Sequence, residues 1–521
     1  MKKPFPFFSA AGLLLIAFVL LLSSCKQSQT LLSGKQSLHP KREFRGAWIH
    51  VIGQSQYKDM NPGEMRLYLT GLLDSLKVCN VNAVIFQIRP TADAFYYSEI
   101  EPWSRYLTGV QGQAPSEDFD PMAFMIQECH KRGLEFHAWM NPYRVTASSN
   151  DELVDEHVYW KHPEWFVRYG NQIYFDPGLP ESRTYICQVV EDVVRRYDID
   201  AIHMDDYFYP YPIAGEVFPD NESFARYASI QGFTPDQRAD WRRDNVNLLI
   251  EKIKYTIVRT KPWVRFGISP FGIYRNKKDT PDASGSDTRG LQNYADLYAD
   301  VLLWTEKAWV DYLIPQVYWE IGHSAADYAA LIPWWAMKKN GGHLYIGQDV
   351  VRTMQAADSR TEGANQLPSK MSQLRSFPAI DGNCWWPAYR VTDNFMGMAD
   401  SLKNNYQTYP ALVPAYLHMH AKQPKEVKSL KAEWTPQGYL LHWKQNGDGS
   451  DPETARNFVI YRFQKKEKVN LNDPSKIVCV TGEMFYLLPY EKGKTQYKYV
   501  VTSVDRFHNE SKKGKSKKIK L

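Results

Sequence analysis

The chain has no Cys-x-x-Cys pair, no His-Glu-x-x-His run and, beyond its first 25 residues, no apolar stretch long enough to span a membrane. Those absences remove the zinc-ribbon and thiol-redox signatures, the helical zinc-protease site and a polytopic membrane protein. Cysteine is scarce, at six residues, and Cys25 sits at the end of the N-terminal apolar segment. The other five, Cys79, Cys129, Cys187, Cys384 and Cys479, are odd in number and mostly lie in segments that read as buried helix or strand. Free core thiols are expected, and neither a disulfide framework nor a metal site. An excess of one charge is also missing. The formal charge is +5, but it becomes −3 once Lys2, Lys3 and the six lysines of the tail SKKGKSKKIKL are set aside. No nucleic-acid partner is indicated, and the tail is expected to be a solvated end.

Aromatic residues are plentiful: 16 Trp, 33 Tyr and 24 Phe in 521 residues. Beyond filling a core, such a surplus suits stacking on the flat apolar faces of sugar rings. The length exceeds one ordinary domain and fits a barrel of about 300 residues or more with a small added module.

The N-terminus opens with Met1-Lys2-Lys3, continues through LLLIAFVLLL and ends in LSSC at Cys25. A basic start, a short apolar core and small residues before a cleavage point describe an export signal over residues 1–25. With cysteine at the cut, the segment resembles a bacterial lipoprotein signal, which implies lipidation of Cys25. Residues 26–41 are polar and read as a flexible tether. The expected location is the cell envelope, lipid-anchored, on the periplasmic face of the outer membrane, since Lys26 and not Asp follows the cysteine.

Over residues 42–410, strand-like runs alternate with helix-length amphipathic stretches, the grammar of a parallel sheet clothed in helices. Eight strands are expected at RGAWIHV, NAVIFQIRP, LEFHAWMNP, DAIHMDD, VRFGISP, DYLIPQVYWE, HLYIGQD and GNCWWPA. Eight such units predict an α/β fold, a (β/α)8 TIM barrel. Extra length between the third and fourth strands, at YFDPGLPESRTYI, suggests a hairpin running into a helix. Residues 421–521 alternate without helical stretches and predict a small all-β sandwich. Its own strand pattern supplies a core, so a chain cut near residue 420 is expected to stay folded.

Strand alternation fixes which side chains face the barrel interior. Ile202 and Met204 are the outward pair of the fourth strand, so His203 and Asp205 turn inward, with Asp205 at the carboxyl end. The same rule turns His50 inward with Trp48, Gln87 with Arg89, His137 with Trp139 and Asn141, and Gln316 with Tyr318 and Glu320. Trp385 is added from the last strand. Polar groups concentrated at the carboxyl ends of several strands mark the rim where barrel enzymes hold their sites. Two carboxyl groups in a pocket walled by Trp and Tyr are the equipment for glycoside hydrolysis. Asp205 is expected to act ionised, and Glu320, beside Tyr318 and Trp319, to stay protonated and donate. Asp206 is either an orienting acid or the true donor.

The motifs FRGAWIHV, NPYR, YFDPGLPESRTYI, DAIHMDDYFYP, FGISPFGIYRN and DYLIPQVYWE, in that order over residues 42–400, resemble the glycosyl-hydrolase-10-like family. That resemblance implies a TIM barrel, an extracytoplasmic location and hydrolysis of a glycan, with some members linked to bacterial cell-wall glycan strands. The fourth strand is also similar to the α-amylase motif whose Asp is the nucleophile, a position that falls on Asp205. The ending YKYVVTSVDRFHNES resembles the last strands of fibronectin type III modules. No cofactor is expected. Two rival readings stay open: a metal-dependent hydrolase in which His50, His137, His203 and Asp205 converge, and a catalytically silent glycan-binding lipoprotein.

Overall fold

A computed structural model describes residues 39–116, 118–447, 451–490 and 493–521. The expected export signal, Cys25 and most of the tether lie outside the described residues. Among the described residues no helix is long and apolar enough to cross a membrane.

The strands in chain order are β1 (Phe44–Ile49), β2 (Ala83–Arg89), β3 (Glu135–Met140), β4 (Phe166–Tyr169), β5 (Gln172–Phe175), β6 (Ala201–Met204), β7 (Arg265–Ile268), β8 (Tyr312–Leu313), β9 (His343–Asp349) and β10 (Gly382–Trp386). Eight of them close a parallel barrel in the order β1-β10-β9-β8-β7-β6-β3-β2, so all eight expected strands are present. β4 and β5 form the antiparallel hairpin expected before the helix Pro180–Arg196. The ten-residue run expected for the sixth barrel strand contracts to Tyr312–Leu313. Pro315 lacks the N–H that a longer ladder needs, and pairing resumes only as single bridges from Gln316 to Phe271 and Gly347.

The alternation predicted the two sides of the sheet correctly. Ala47, Ile49, Val51, Phe86, Ile88, Ile202 and Met204 pack outward in the large cluster beneath the helices. Trp48, Trp139, Tyr312 and Tyr345 pack inside the barrel. Local chemistry starts the covering helices where expected. Asn61 and Glu64 form a reciprocal capping box ahead of Pro62, and the helix Pro62–Val78 buries Met65, Leu69, Leu72, Leu73 and Leu76 on one face. Asp120 caps the helix Pro121–Lys131 one way only, its side chain accepting from Ala123 N.

Seven further strands build the sandwich: β11 (Ser429–Thr435), β12 (Gly438–Lys444), β13 (Asn457–Gln464), β14 (Ile477–Thr481), β15 (Phe485–Leu488), β16 (Gln496–Val504) and β17 (Lys515–Lys520). They form a sheet ordered β11-β12-β15 and a sheet ordered β14-β13-β16-β17 around their own apolar core. The lysine-rich end is therefore no loose tail: Lys515–Lys520 pairs with β16 as an edge strand, where lysines discourage further pairing. Nor is the sandwich detached. It packs on the amino-terminal end of the barrel, where Arg506 and Arg456 both bind Asp198, at 2.9 and 3.0 Å, and His508 reaches Glu135 at the foot of β3. Gly133, at φ +64, makes room for this contact, since a Cβ there would lie 2.6 Å from the Val480 carbonyl oxygen.

Cys79, Cys129, Cys187 and Cys384 are buried free thiols, and Cys479 is half-buried and free, as expected.

Candidate active site

Asp205 and Asp206 follow β6 directly and lie at the carboxyl-terminal rim, 3% and 1% exposed. Their surroundings differ. Asp205 accepts hydrogen bonds from Trp139 Nε1 at 3.0 Å, Asn141 Nδ2 at 3.2 Å and the Tyr207 backbone N at 3.4 Å. The Asn141 amide is turned the right way because its Oδ1 accepts from Arg144 N at 2.8 Å. Asp206 accepts from the Tyr211 hydroxyl and from Gln316 Nε2, the latter at 3.0 Å.

Burial raises both carboxyl groups above the usual value. For Asp205 the nearby Arg144, the Trp139 N–H and the Asn141 amide pull the other way. For Asp206, burial and then the neighbouring Asp205 charge push it up to about 7, against the hydrogen bonds of Tyr211 and Gln316. Asp206, pushed up to about 7, thus lies beside an acid that carries more hydrogen-bond donors and a nearby cation, and the two surroundings differ as those of a proton donor and a carboxylate do.

Aromatic walls flank the acids. On one side His50 packs against Trp386 at 4.5 Å between ring centres, and Trp386 against Trp139 at 6.2 Å. On the other, Tyr207, Tyr211, Phe271 and Trp319 follow one another at 5.3, 6.1 and 5.3 Å. Tyr318 sits edge-on to Trp48 in the interior. Burial lowers His50 to about 4, so it is neutral, with its Nε2 taken by Gln54 at 2.7 Å.

Asp205, Asp206, Trp139, Asn141, Gln316, Tyr318 and His50 thus come together as expected. Other expected residues do not. Trp385 packs outward beneath the helices, and Trp386 takes the rim position; β10 runs one residue out of the phase assumed for it. Arg89 is held by Glu101 through two hydrogen bonds, at 2.7 and 2.6 Å, so it braces the rim from behind. Gln87 accepts from the Val51 and Ile52 backbone and secures the loop after β1. Glu320 makes no hydrogen bond to Asp205, Asp206 or their partners among the described residues, and its charge is felt instead by the buried Lys370 ammonium. His137 and His203 lie deeper along the barrel axis, wholly buried, with their nitrogens taken by Tyr312, Glu135 and Ser269. The four groups of the metal-site reading therefore do not converge, and no cluster of three or more metal-ligating side chains occurs among the described residues. Tyr211, Trp386 and Ser269 join the site beyond the expected set, and each lies in a stretch that the sequence singles out: YFYPYP after the acids, GNCWWPA and VRFGISP.

YngK of Bacillus subtilis (strain 168), a glycosyl hydrolase, is 41% identical over 483 residues, covering 91% of this chain and 93% of its own. DigH of Escherichia coli (strain K12), also a glycosyl hydrolase, is 36% identical over 368 residues, covering 64% of this chain and 81% of its own. Among solved structures, the PgaB (BpsB) glycoside hydrolase domain from Bordetella bronchiseptica aligns with a TM-score of 0.47 at 12% identity, over 70% of this chain and 99% of that one. The glycosyl hydrolase-like 10 family matches residues 43–362, and the chain, a glycoside hydrolase, belongs to it.

Proposed function

We propose that the protein cleaves glycosidic bonds within bacterial cell-wall glycan strands, with Asp205 as the ionised carboxylate at the anomeric carbon and Asp206 as the proton donor. The observation that carries this reading is the difference between the two neighbours: Asp206 is pushed up to about 7 while Asp205 accepts three hydrogen bonds near Arg144. A donor that keeps its proton near neutrality suits departure of the leaving oxygen, and a charged neighbour stabilises the oxocarbenium-like transition state. The aromatic walls extend away from the acids on both sides, which favours a polymer over a single sugar.

Cell-wall glycan is chosen because the N-terminal segment reads as an export signal ending in a lipidated Cys25, which would hold the enzyme at the cell envelope within reach of that polymer. The two sheets of three and four strands support reading the C-terminal module as a fibronectin type III relative. The test is incubation of the soluble domain, with and without EDTA, with amidase-treated cell-wall glycan, starch-type glycan and mucin-type glycan, followed by mass spectrometry. Release of cell-wall fragments unaffected by EDTA is the expected result. Binding without products would reduce the protein to a glycan receptor, and loss of products in EDTA would require a metal. NMR of the first-formed product reads the stereochemistry; retention is expected if Asp205 attacks carbon directly.

A further inference from the structure

We propose that Glu135, at the end of the barrel opposite the acids, is a positioning residue for the site, acting by imposing one proton order on a buried hydrogen-bond chain that ends beneath Asp206. The proposal rests on the reading of Asp205 and Asp206 as the reacting pair.

The chain is continuous. Glu135 Oε2 lies 3.1 Å from His137 Nε2, and His137 Nδ1 lies 2.8 Å from the Tyr312 hydroxyl. The same hydroxyl lies 3.1 Å from His203 Nδ1, and His203 Nε2 lies 2.9 Å from Ser269 Oγ and 3.4 Å from Trp48 Nε1. Above it, Gln316 Nε2 donates to the Ser269 carbonyl at 2.8 Å and to Asp206 Oδ1 at 3.0 Å. Gly267 makes the middle link possible, because a Cβ there would sit 1.9 Å from the Tyr312 ring.

Both ends of the chain have fixed roles. An ionised carboxylate only accepts, and an indole N–H only donates. Burial opposes the Glu135 charge, but Arg265 and then His508 outweigh it and hold the carboxyl well below its ordinary value. Glu135 Oε1 accepts from Arg265 and from His508 Nε2, the latter at 2.6 Å, so the sandwich itself caps the lower end. A neutral His137 then carries its proton on Nε2, and its bare Nδ1 accepts from Tyr312 O–H. That spends the only phenolic hydrogen, so the Tyr312 oxygen accepts from His203 Nδ1–H. His203 Nε2 is left bare to meet two donors, Trp48 N–H and Ser269 O–H. Reversing the order would set a lone pair against the Glu135 carboxylate and an N–H against the Trp48 N–H. Burial keeps His203 neutral, as this order needs.

The consequence at the site is a floor with one hydrogen-bond polarity. With its hydroxyl turned to His203, at 2.9 Å against 3.4 Å to the Met204 carbonyl, Ser269 is held in place, and its carbonyl holds the Gln316 amide so that an N–H, not the amide oxygen, faces Asp206.

The experiment combines 15N spectra of the imidazoles in histidine-labelled protein with kinetics on the glycan that the wild type cleaves. The wild type should show His203 protonated at Nδ1. Glu135→Gln, whose amide can present either end to His137, should give a mixed His203 tautomer and lower kcat by about 10-fold with little change in KM. Tyr312→Phe breaks the chain one link beyond His137, leaving the contacts of Glu135 with Arg265, His508 and His137 Nε2 in place, and should do the same. With Tyr312→Phe in place, Glu135→Gln should cost nothing more in kcat. A wild-type His203 protonated at Nε2 overturns the proposal, as do tautomers and kcat unchanged in Tyr312→Phe, or losses that multiply in the double variant. If Glu135→Gln does not fold, the wild-type and Tyr312→Phe spectra decide alone. Failure of the wild type to cleave any glycan removes the activity reading, while the tautomer measurement still judges the chain.

Discussion

Replacing Asp206 by Asn should stabilise the protein at alkaline pH while removing its proton donor. Burial, followed by the charge of Asp205, lifts this carboxyl from 3.8 to about 7 in the native state. A native value above the unfolded one means that the folded chain holds the proton more tightly. The favourable contribution is therefore complete below the unfolded value and is lost as pH rises through about 7. About three pH units at about 1.4 kcal/mol each make the ionised native form costly by ~4 kcal/mol at pH 8, and by under about 1 kcal/mol at pH 4. Asn keeps an oxygen for Gln316 and has no charge to bury, so the variant escapes most of that cost. It also relieves Asp205 of a like-charged neighbour. Urea unfolding of wild type and Asp206→Asn at pH 4 and pH 8 reads the effect as a difference of differences, in which titrating groups remote from Asp206 cancel and the relief of Asp205 adds in the same direction. Equal stability differences at the two pH values, or a less stable variant at pH 8, would refute the assignment of a strained, proton-holding acid.

Asp205→Asn should abolish turnover while calorimetry still detects glycan binding; wild-type turnover in that variant would move the charged role elsewhere. Asp206→Asn should lose about 10²–10⁴-fold on the natural glycan but much less on an aryl glycoside whose leaving group needs no proton. Glu320→Gln should stay within about 2-fold of wild type on both substrates, since Glu320 bonds to neither acid; a leaving-group-dependent loss there would reinstate it as donor. On the lipidation proposed above for its thiol, Cys25→Ala should shift the protein from the membrane to the soluble fraction, as fractionation and blotting would show. A chain ending at residue 420 should melt earlier than the full chain in calorimetry, because it uncovers the Glu135–Arg265 pair; an unchanged melting temperature would make the sandwich a true appendage.

Most of the fold and half of the site were legible because each rests on a local rule. Period-two alternation fixes which residues of a strand face inward, so Trp139, His203 and Asp205 followed from the outward Ile202 and Met204 and their counterparts on β3. The errors lie where a local rule leaves two answers. In GNCWWPA two adjacent tryptophans fit either phase, and the inward one is Trp386 because Cys384 faces the interior two residues before it. Glu320 has the inward parity of Gln316 and Tyr318, but Pro315 ends β8 early, and parity means nothing beyond the end of a ladder. Asp206 has the outward parity, so alternation alone does not carry it into the site. It reaches the site because it too lies beyond its strand, where Tyr211 and Gln316 hold it.

The same limit explains why the sandwich looked separable. Alternation shows that a segment has an apolar face of its own; it is silent about polar groups satisfied from outside. One signal was nonetheless present. Glu135 stands at the first position of a strand whose alternation turns it toward the barrel interior, with Arg265 at the matching position of β7. A buried carboxylate is rarely left with one partner, because its remaining lone pairs still need donors. Inside the barrel His137 supplies one donor, and the amino-terminal end is open to whatever packs there. An inward acid at the foot of a barrel strand thus predicts a cap that brings a donor, and the chain supplies it 373 residues later, as His508. The barrel and the sandwich are therefore not independent units joined by a linker, since one buried charge is shared between them and its partners run up the axis towards the two rim acids.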